Sequence, residues 1–491
     1  MGVMQFLLPR RDRLPPDDAA RCYLTGLDES PWRSRIDLTD EGLLVRRATS
    51  ESGSFHVPWQ TPKGQLLLHT ASLMERERPY HLPLELARGT LNLLRNQSAQ
   101  WQMAGLPGDP AVQWAIGHAH TAFARAATMQ SSPTALAAAA DEAIACALEG
   151  SARFVDAFTA AALAVRRQDA NRVTKLIGAH LGSLPVDDAV LAQLLPAVNS
   201  AIVPLAWREI EARQGKPNWD LSDRQIEWCR EQGLKVCAGP LVQLDENWLP
   251  DWIYLWEGDE ENLLKFLAQH VESAVGRYRG RVHVWLCGAR LNVRGALGLS
   301  EEQRLRLAVH VIELVRSLDP RTPLVLSIDQ PWGEYLLRED CELAPLYWAD
   351  ALVRASLPLA ALAIEVNLGY WPVGTQPRDL LEIGRQIDRW SCVGLPLLVT
   401  LTVPSAAAAD PAARLSPQTF VPAASAETAQ LEISRLVSLL LAKPTVQAVL
   451  WNQLADAGPH ELPHAGLFDV AWQPKPTLQT LAGLRATWLD R

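Results

Sequence analysis

Positive charge, patterned cysteine and long apolar runs are all scarce in this chain. Lys and Arg number 46 against 55 Asp and Glu, a formal net charge of −9 over 491 residues. That balance argues against a nucleic-acid footprint, and no polybasic tract is present to grip an anionic membrane surface. No uninterrupted apolar stretch approaches the ~20 residues that a membrane-spanning helix needs. Phe6-Leu7-Leu8 is too short for a signal-peptide core, and Pro9, Arg10 and Arg11 follow at once, so no secretory leader is expected. The seven cysteines (22, 146, 229, 237, 287, 341 and 392) are odd in number and lack CxxC spacing. Reduced thiols and a cytoplasmic setting are therefore expected, without a disulfide frame or zinc site. G-x-S-x-G, Walker and GxGxxG loops are missing as well. His118, His120, His180 and His270 lack a Cys or carboxylate partner at ligand spacing. His460 and His464 stand i, i+4 beside Pro459 and Pro463, which predicts a loop and a surface role. No metal and no cofactor are expected.

What is present is an ordinary globular composition, 48% hydrophobic and 21% charged, long enough for two or three domains. Phe (8) and Tyr (7) are few, yet Trp reaches 18. Indole faces suit the C–H faces of sugar rings, although they more often fill cores and interfaces.

Three regions follow from patterning. Residues 1–110 read as a β-rich module with one long helix. Short β-type runs cover Arg21–Thr25, Arg33–Leu38, Gly42–Ala48, Gly53–Val57 and Gln65–Thr70, with turns at Asp40-Glu41-Gly42 and Glu51-Ser52-Gly53. A small antiparallel sheet is predicted. Leu82–Met103 has helical spacing, with Leu84, Ala87, Leu91, Leu94 and Trp101 near one face and Pro83 in the first turn. Glu85 and Arg88 are placed for an i, i+3 ion pair at the domain junction. Residues 111–170 form an Ala-rich helical connector, predicted as an α-hairpin with helices over Thr134–Leu148 and Ala152–Arg167.

Residues 171–491 change period. Apolar runs at Thr174–Gly178, Ala201–Trp207, Leu234–Val242, Val282–Ala289, Leu324–Asp329, Ala361–Asn367, Pro396–Leu401 and Val446–Trp451 alternate with amphipathic helices. Continuous apolar strands interleaved with helices predict an α/β fold with a parallel sheet, and eight such pairs suit a closed (β/α)8 TIM barrel. An open doubly wound sheet is the rival, but Gly178-Ala179-His180-Leu181-Gly182 is a poor phosphate turn.

With the strands in order, several stretches resemble glycoside hydrolase family 10, the xylanase family. Trp207-Arg208-Glu209-Ile210-Glu211, Gly215, Trp219-Asp220 and Asp223 look like that family's strand-two stretch. Gly239-Pro240-Leu241-Val242 leads to Leu249-Pro250-Asp251-Trp252, and Arg277-Tyr278-Arg279-Gly280 leads to Trp285, as the family's third and fourth strands do. Trp451, Asp456, Gly466-Leu467-Phe468-Asp469 and Pro474-Lys475-Pro476 resemble its closing pieces. The resemblance spans about residues 174–488.

It implies a retaining glycosidase, in which two carboxyls ~5–5.5 Å apart act as acid/base and nucleophile. At the acid/base position, however, the family's W-D-V-V-N-E corresponds to Trp285-Leu286-Cys287-Gly288-Ala289-Arg290, and Leu401 stands at the nucleophile position. Arginine keeps its proton at any working pH. The family's sugar-gripping positions fall on Ile202, Val203, Ala206 and Ala238–Leu244, where its His and Trp are replaced.

Polar groups nonetheless gather at predicted strand ends, the face on which barrel sites are built. Asp329, Glu334 and Glu365 are the candidate relocated acids. Candidate substrate-binding residues are Trp207, Asp245, Trp248, Arg290, Gln330, Trp332, Asn367, Tyr370, Trp451, Asn452 and Asp456. The competing local reading pairs Glu365 with Arg290 as a structural ion pair and gives Asp329 loop N–H donors. Ser405–Ser425, rich in Ala, Pro and Ser, is expected to hang over the cleft as a loop. Three functions stay open: a carbohydrate binder without the retaining dyad, an active glycosidase of the β-1,4-glycan class with relocated carboxylates, or an interaction protein. A carbohydrate is the expected partner; neither nucleic acid nor membrane is.

Overall fold

A computed structural model describes residues 2–106, 108–169, 174–415 and 426–489. The N-terminal strands are β1 Gly2–Leu7, β2 Tyr23–Thr25, β3 Pro31–Trp32, β4 Ser34–Leu38, β5 Gly42–Arg47, β6 Ser54–Thr61, β7 Gly64–His69 and β8 Tyr80–His81. They form two four-stranded sheets, ordered β4-β5-β1-β8 and β3-β2-β6-β7. The strand β1 is an addition to the sequence reading. Met4 and Phe6 point into the core while Val3 and Gln5 face solvent, so the period-two signal is present in a run dismissed as too short for a leader. Phe6 stacks on Phe55 at 4.7 Å between centroids, which joins the two sheets through one apolar core.

Helix α1 covers Leu82–Met103, and its first turn carries the Glu85–Arg88 ion pair at 2.9 Å. Next come α2, Pro110–Thr128, and α3, Pro133–Gln168. The break predicted between residues 148 and 152 does not occur; α3 is one helix of 36 residues. Gly150 lies inside it because a Cβ there would meet Leu94 Cδ2 at 2.7 Å and the Ala115 Cβ at 3.0 Å. The glycine marks close helix packing, not a helix end. Buried residues of α3 contribute first to the module core (Leu136, Ile144) and then to the barrel core (Phe154, Val155).

The barrel strands are β9 Leu176–His180, β10 Ser200–Val203, β11 Lys235–Ala238, β12 Val284–Ala289, β13 Leu324–Asp329, β14 Ala361–Asn367, β15 Leu397–Thr402 and β16 Val446–Trp451. Consecutive strands pair in parallel and β16 closes on β9, so the open-sheet rival is excluded. Helices such as Glu260–Tyr278, Glu301–Leu318 and Leu380–Trp390 cover the outside. Ile202, Leu286, Val325, Ala363, Leu398 and Leu450 fill the interior as one apolar layer. Several expected spans change; the third strand, for one, ends at Ala238 rather than Val242. The first strand runs two residues later than predicted, which carries His180 to its end, and Trp207 leaves the strand for a helical turn, Trp207–Ile210.

The module docks over a buried ion pair of the barrel, which its Tyr23 hydroxyl joins. Arg378 Nη2 donates to Glu334 Oε1 (2.7 Å) and to the Tyr23 hydroxyl (2.7 Å), and the Gln376 amide donates to Glu334 Oε2 (3.1 Å). Leu67 N donates to the Pro377 carbonyl at 2.7 Å, joining the two backbones. Among the described residues, no helix is long and apolar enough to cross a membrane.

Candidate functional site

Alternation along the strands decides what crowns the barrel. The parity that buries Leu286, Val325, Ala363, Leu398 and Leu450 inward sends Arg290, Ser327, Glu365, Thr400 and Asn452 to the layer above. His180 joins them from β9. These side chains floor a hollow of about 330 Å³, walled by Gln243, Asp245 and Trp248 on one side and by the 453–462 connection and Trp472 on the other.

Arg290 is the centre of the floor. Its φ of 56° is left-handed, an uncommon conformation for a residue with a side chain, and Gln330 at the end of β13 shares it (φ 44°). The Arg290 guanidinium grips Glu365 along one edge, with Nε to Oε2 at 3.0 Å and Nη2 on Oε1. Its Nη1 and Nη2 reach Glu461, the latter at 3.1 Å to Oε2. Glu365 Oε1 also accepts from Asn367 Nδ2 (2.9 Å) and Asn452 Nδ2 (2.8 Å). Burial on its own would raise Glu365, but the Arg290 charge and these donors override it and hold the carboxyl below its ordinary value. Arg290 is likewise pushed well above its usual value: burial opposes its charge, and Glu365 and Glu461 more than compensate.

Asp329 pairs with Glu365 in the β13–β14 register, yet its Oδ1 accepts from the Gln330 amide (2.8 Å) and it is outside the hollow's lining. Burial and the neighbouring Glu365 charge raise its carboxyl well above the ordinary range. His180 Nδ1 accepts from Gly182 N at 3.0 Å, and burial lowers the imidazole to about 4, so it is neutral near pH 7.

The remaining sequence candidates separate. Asp245, Trp248, Arg290, Glu365 and Asn452 line the hollow together. Asp245 Oδ1 accepts from the Asn247 and Trp248 amides at 3.0 Å each, and Trp248 Nε1 donates to the Pro240 carbonyl (3.3 Å). Asn367, one step further along β14 and outside the lining, holds Glu365 and accepts from Thr402. Glu334 is not brought to the hollow; it is wholly buried against Arg378 and Tyr23. Trp332 lies under that same Arg378 guanidinium, 4.9 Å from its centre. Gln330 accepts from Arg338 (3.3 Å), and Trp207 stacks on His270 at 5.1 Å. Trp451 Nε1 donates to the Ala465 carbonyl (2.7 Å), and the Tyr370 hydroxyl donates to Pro463 O (2.8 Å). Asp456 accepts from Lys475 and from Gly466 N (2.7 Å), fixing the final connection.

Sequence reasoning missed Glu461, His180, Gln243, Arg414 and Trp472 in the hollow. His180 was readable once the first strand is placed two residues later. Glu461 carries no local signal, because its loop position depends on neighbours far away in sequence. His460, expected at the surface, is buried, and its Nε2 meets Asp410 at 3.0 Å. That contact ties the connection after β16 to the one after β15. Residues 405–415 of the expected overhanging loop are placed there, with Arg414 N donating to the His460 carbonyl (3.0 Å), while 416–425 lie outside the described residues. Among the described residues, no cluster of three or more His, Cys, Asp or Glu is arranged to hold a metal.

A closed parallel barrel crowned by a charged hollow defines the (β/α)8 class in which strand-end loops carry the site. Residues 197–286 match the family model for Glycosyl hydrolase family 10, a stretch from just before β10 to the middle of β12. The chain is 30% identical to endo-1,4-beta-xylanase B of Thermotoga neapolitana over 81 residues, 16% of this chain and 23% of that protein. It is 27% identical to a beta-1,4-xylanase of Dictyoglomus thermophilum over 208 residues, 40% of this chain and 53% of that one. It thus spans about a quarter to a half of the length of these curated relatives. Among solved structures, native xylanase 10B from Thermotoga maritima is 17% identical with a TM-score of 0.49, covering 68% of this chain and 98% of that chain. Xylanase 10B from Thermotoga petrophila RKU-1 in complex with xylobiose is also 17% identical, with a TM-score of 0.48, covering 64% and 95%.

Proposed function

We propose that this protein binds a β-1,4-linked oligosaccharide at the strand-end hollow without carrying out retaining glycoside hydrolysis. One observation carries the reading: the cation Arg290 spans Glu365 and Glu461 across the floor. A retaining mechanism needs one carboxyl that can give up a proton and a second free to attack carbon. Glu365 is committed to a guanidinium and two amides, and Leu401, at the expected nucleophile position, has no ionisable group. The walls still suit a sugar, with Gln243, Asn452 and His180 as hydrogen-bonding groups and Trp248 and Trp472 as apolar surface. The xylanases among the relatives suggest the class of glycan. The free thiols agree with a reducing compartment, which we propose as the setting.

Calorimetric titration with xylohexaose, run beside an aryl β-xyloside hydrolysis assay, tests the reading. Binding without product release is expected, and turnover abolished by Glu365→Gln would overturn it. The second reading, an active glycosidase, draws on the Asp329–Glu365 pair, whose environments push one carboxyl up and the other down. That acid lies off the hollow, so the pair is poorly placed to flank a glycosidic bond.

A further inference from the structure

The two carboxylates that share Arg290 are not equivalent. Glu365 sits on a barrel strand, with its side chain 5% exposed and two asparagine amides adding to the guanidinium. Glu461 sits on a connection, its side chain is 36% exposed, and Arg290 is its side-chain partner. Asp245 stands 3.7 Å from the same guanidinium, but its oxygens already accept from Asn247, Trp248 and Gln243. A second arginine, Arg414, is among the residues lining the hollow, on the connection after β15, exposed and without a side-chain hydrogen bond or ion pair among the described residues.

From this asymmetry we infer that Glu461 is an internal stand-in for a ligand carboxylate, and that Arg290 with Arg414 selects an acidic saccharide carrying a uronic acid unit. The inference rests on the carbohydrate-binding reading and names the class of sugar. Its physical basis is exchange. A ligand carboxylate that takes the place of Glu461 leaves the charge paired to Arg290 unchanged, so no buried cation is stranded. The displaced Glu461 is already at the water boundary and rehydrates readily, whereas Glu365 would have to abandon three donors. A planar fork of N–H groups matches a carboxylate in two-point contact, which a hydroxyl cannot imitate. A neutral sugar displacing Glu461 would leave part of that fork unpaired, and the loss counts against it. Arg414 then adds a second positive charge facing the incoming anion. Glu209 at the rim opposes it, but it is exposed and therefore well screened.

The test is calorimetry on the full chain with two probes. One is a xylo-oligosaccharide bearing a single glucuronic acid unit; the other is the same sugar with that carboxyl reduced to a primary alcohol. The acidic probe is expected to bind at least about ten-fold more tightly, a preference that shrinks as salt is raised. Glu461→Gln, an isosteric change at a part-exposed position, is expected to tighten the acidic probe several-fold and leave the neutral one unchanged. Arg414→Gln is expected to weaken the acidic probe alone. Thermal melts check that both variants are folded. Equal affinity for the two probes, or no response of the acidic probe to Glu461→Gln, overturns the anion seat while neutral binding keeps the broader reading alive. Binding of neither probe overturns both.

Discussion

Arg290→Glu would nominally return a carboxyl to the strand-four position, and the structure predicts that it instead weakens the fold. In the native protein one guanidinium pairs with both Glu365 and Glu461 and lies near Asp245 and Asp329. The substitution removes that cation and adds another carboxylate to the group. Breaking a buried pair by deleting one partner costs about 3–5 kcal/mol, because the other charge stays behind. With an unfolding entropy of about 2.1 cal/mol/K per residue, cooperative unfolding of all 491 residues carries about 1 kcal/mol/K. The melting midpoint at pH 7 should therefore fall by about 3–5 °C. The deficit should shrink on acidification. Buried carboxyls without a cation have raised pKa values, so the variant's native state takes up protons before its unfolded state does, and stability returns as pH falls toward about 4–5. Differential scanning calorimetry at pH 7 and pH 5, with a hydrolysis assay alongside, reads each outcome. An unchanged midpoint at pH 7, or xyloside turnover appearing in the variant, would rule out the ion-pair role of Arg290.

The junction between module and barrel offers a parallel case: Arg378→Met leaves Glu334 wholly buried without its cation and should cost about 3–5 kcal/mol. Adding Glu334→Leu should recover most of that loss in urea titrations, and a double variant as unstable as the single one would count against the pairing. Acid sensitivity should trace in part to His270, which burial lowers from 6.5 to about 3 between Trp207 and Trp219. Because its folded value is depressed, the unfolded chain binds the proton first. Stability is then unaffected above about pH 7 and declines as pH falls from about 6.5 toward 3, by about 3 kcal/mol at pH 4.5. Urea titrations of the wild type and His270→Phe at both pH values should show a smaller acid loss in the variant, and equal losses would remove His270 from the account.

The barrel was legible because its signal is local. Strands such as Leu324–Asp329, Ala361–Asn367 and Val446–Trp451 are continuous apolar runs, and helix boundaries such as the Ser300 capping box are written in a few neighbouring residues. Glu365 and Asn367 could be assigned to one face from alternation, and Arg290 follows from the order of the motifs. The break expected between Leu148 and Ala152 failed because the helix accommodates Gly150 where Leu94 and Ala115 press close, and those neighbours are distant in sequence.

Neighbouring residues along the chain were thus enough to assign most elements, their alternation and most of the residues that crown the strands. Which crown residues meet, and which charges find partners, depended on closure of the ring. Closure brings Arg290, just past the fourth strand, to Glu365 on the sixth, and loop packing through His460 and Asp410 delivers Glu461 to the same guanidinium. Glu334 and Trp332 stay outside the hollow, where Arg378 from the connection after β14 packs against both and Tyr23 from the N-terminal sheets reaches Glu334. Hydrophobic period is a property of neighbours along a chain, whereas the pairing of buried charge is a property of neighbours in space.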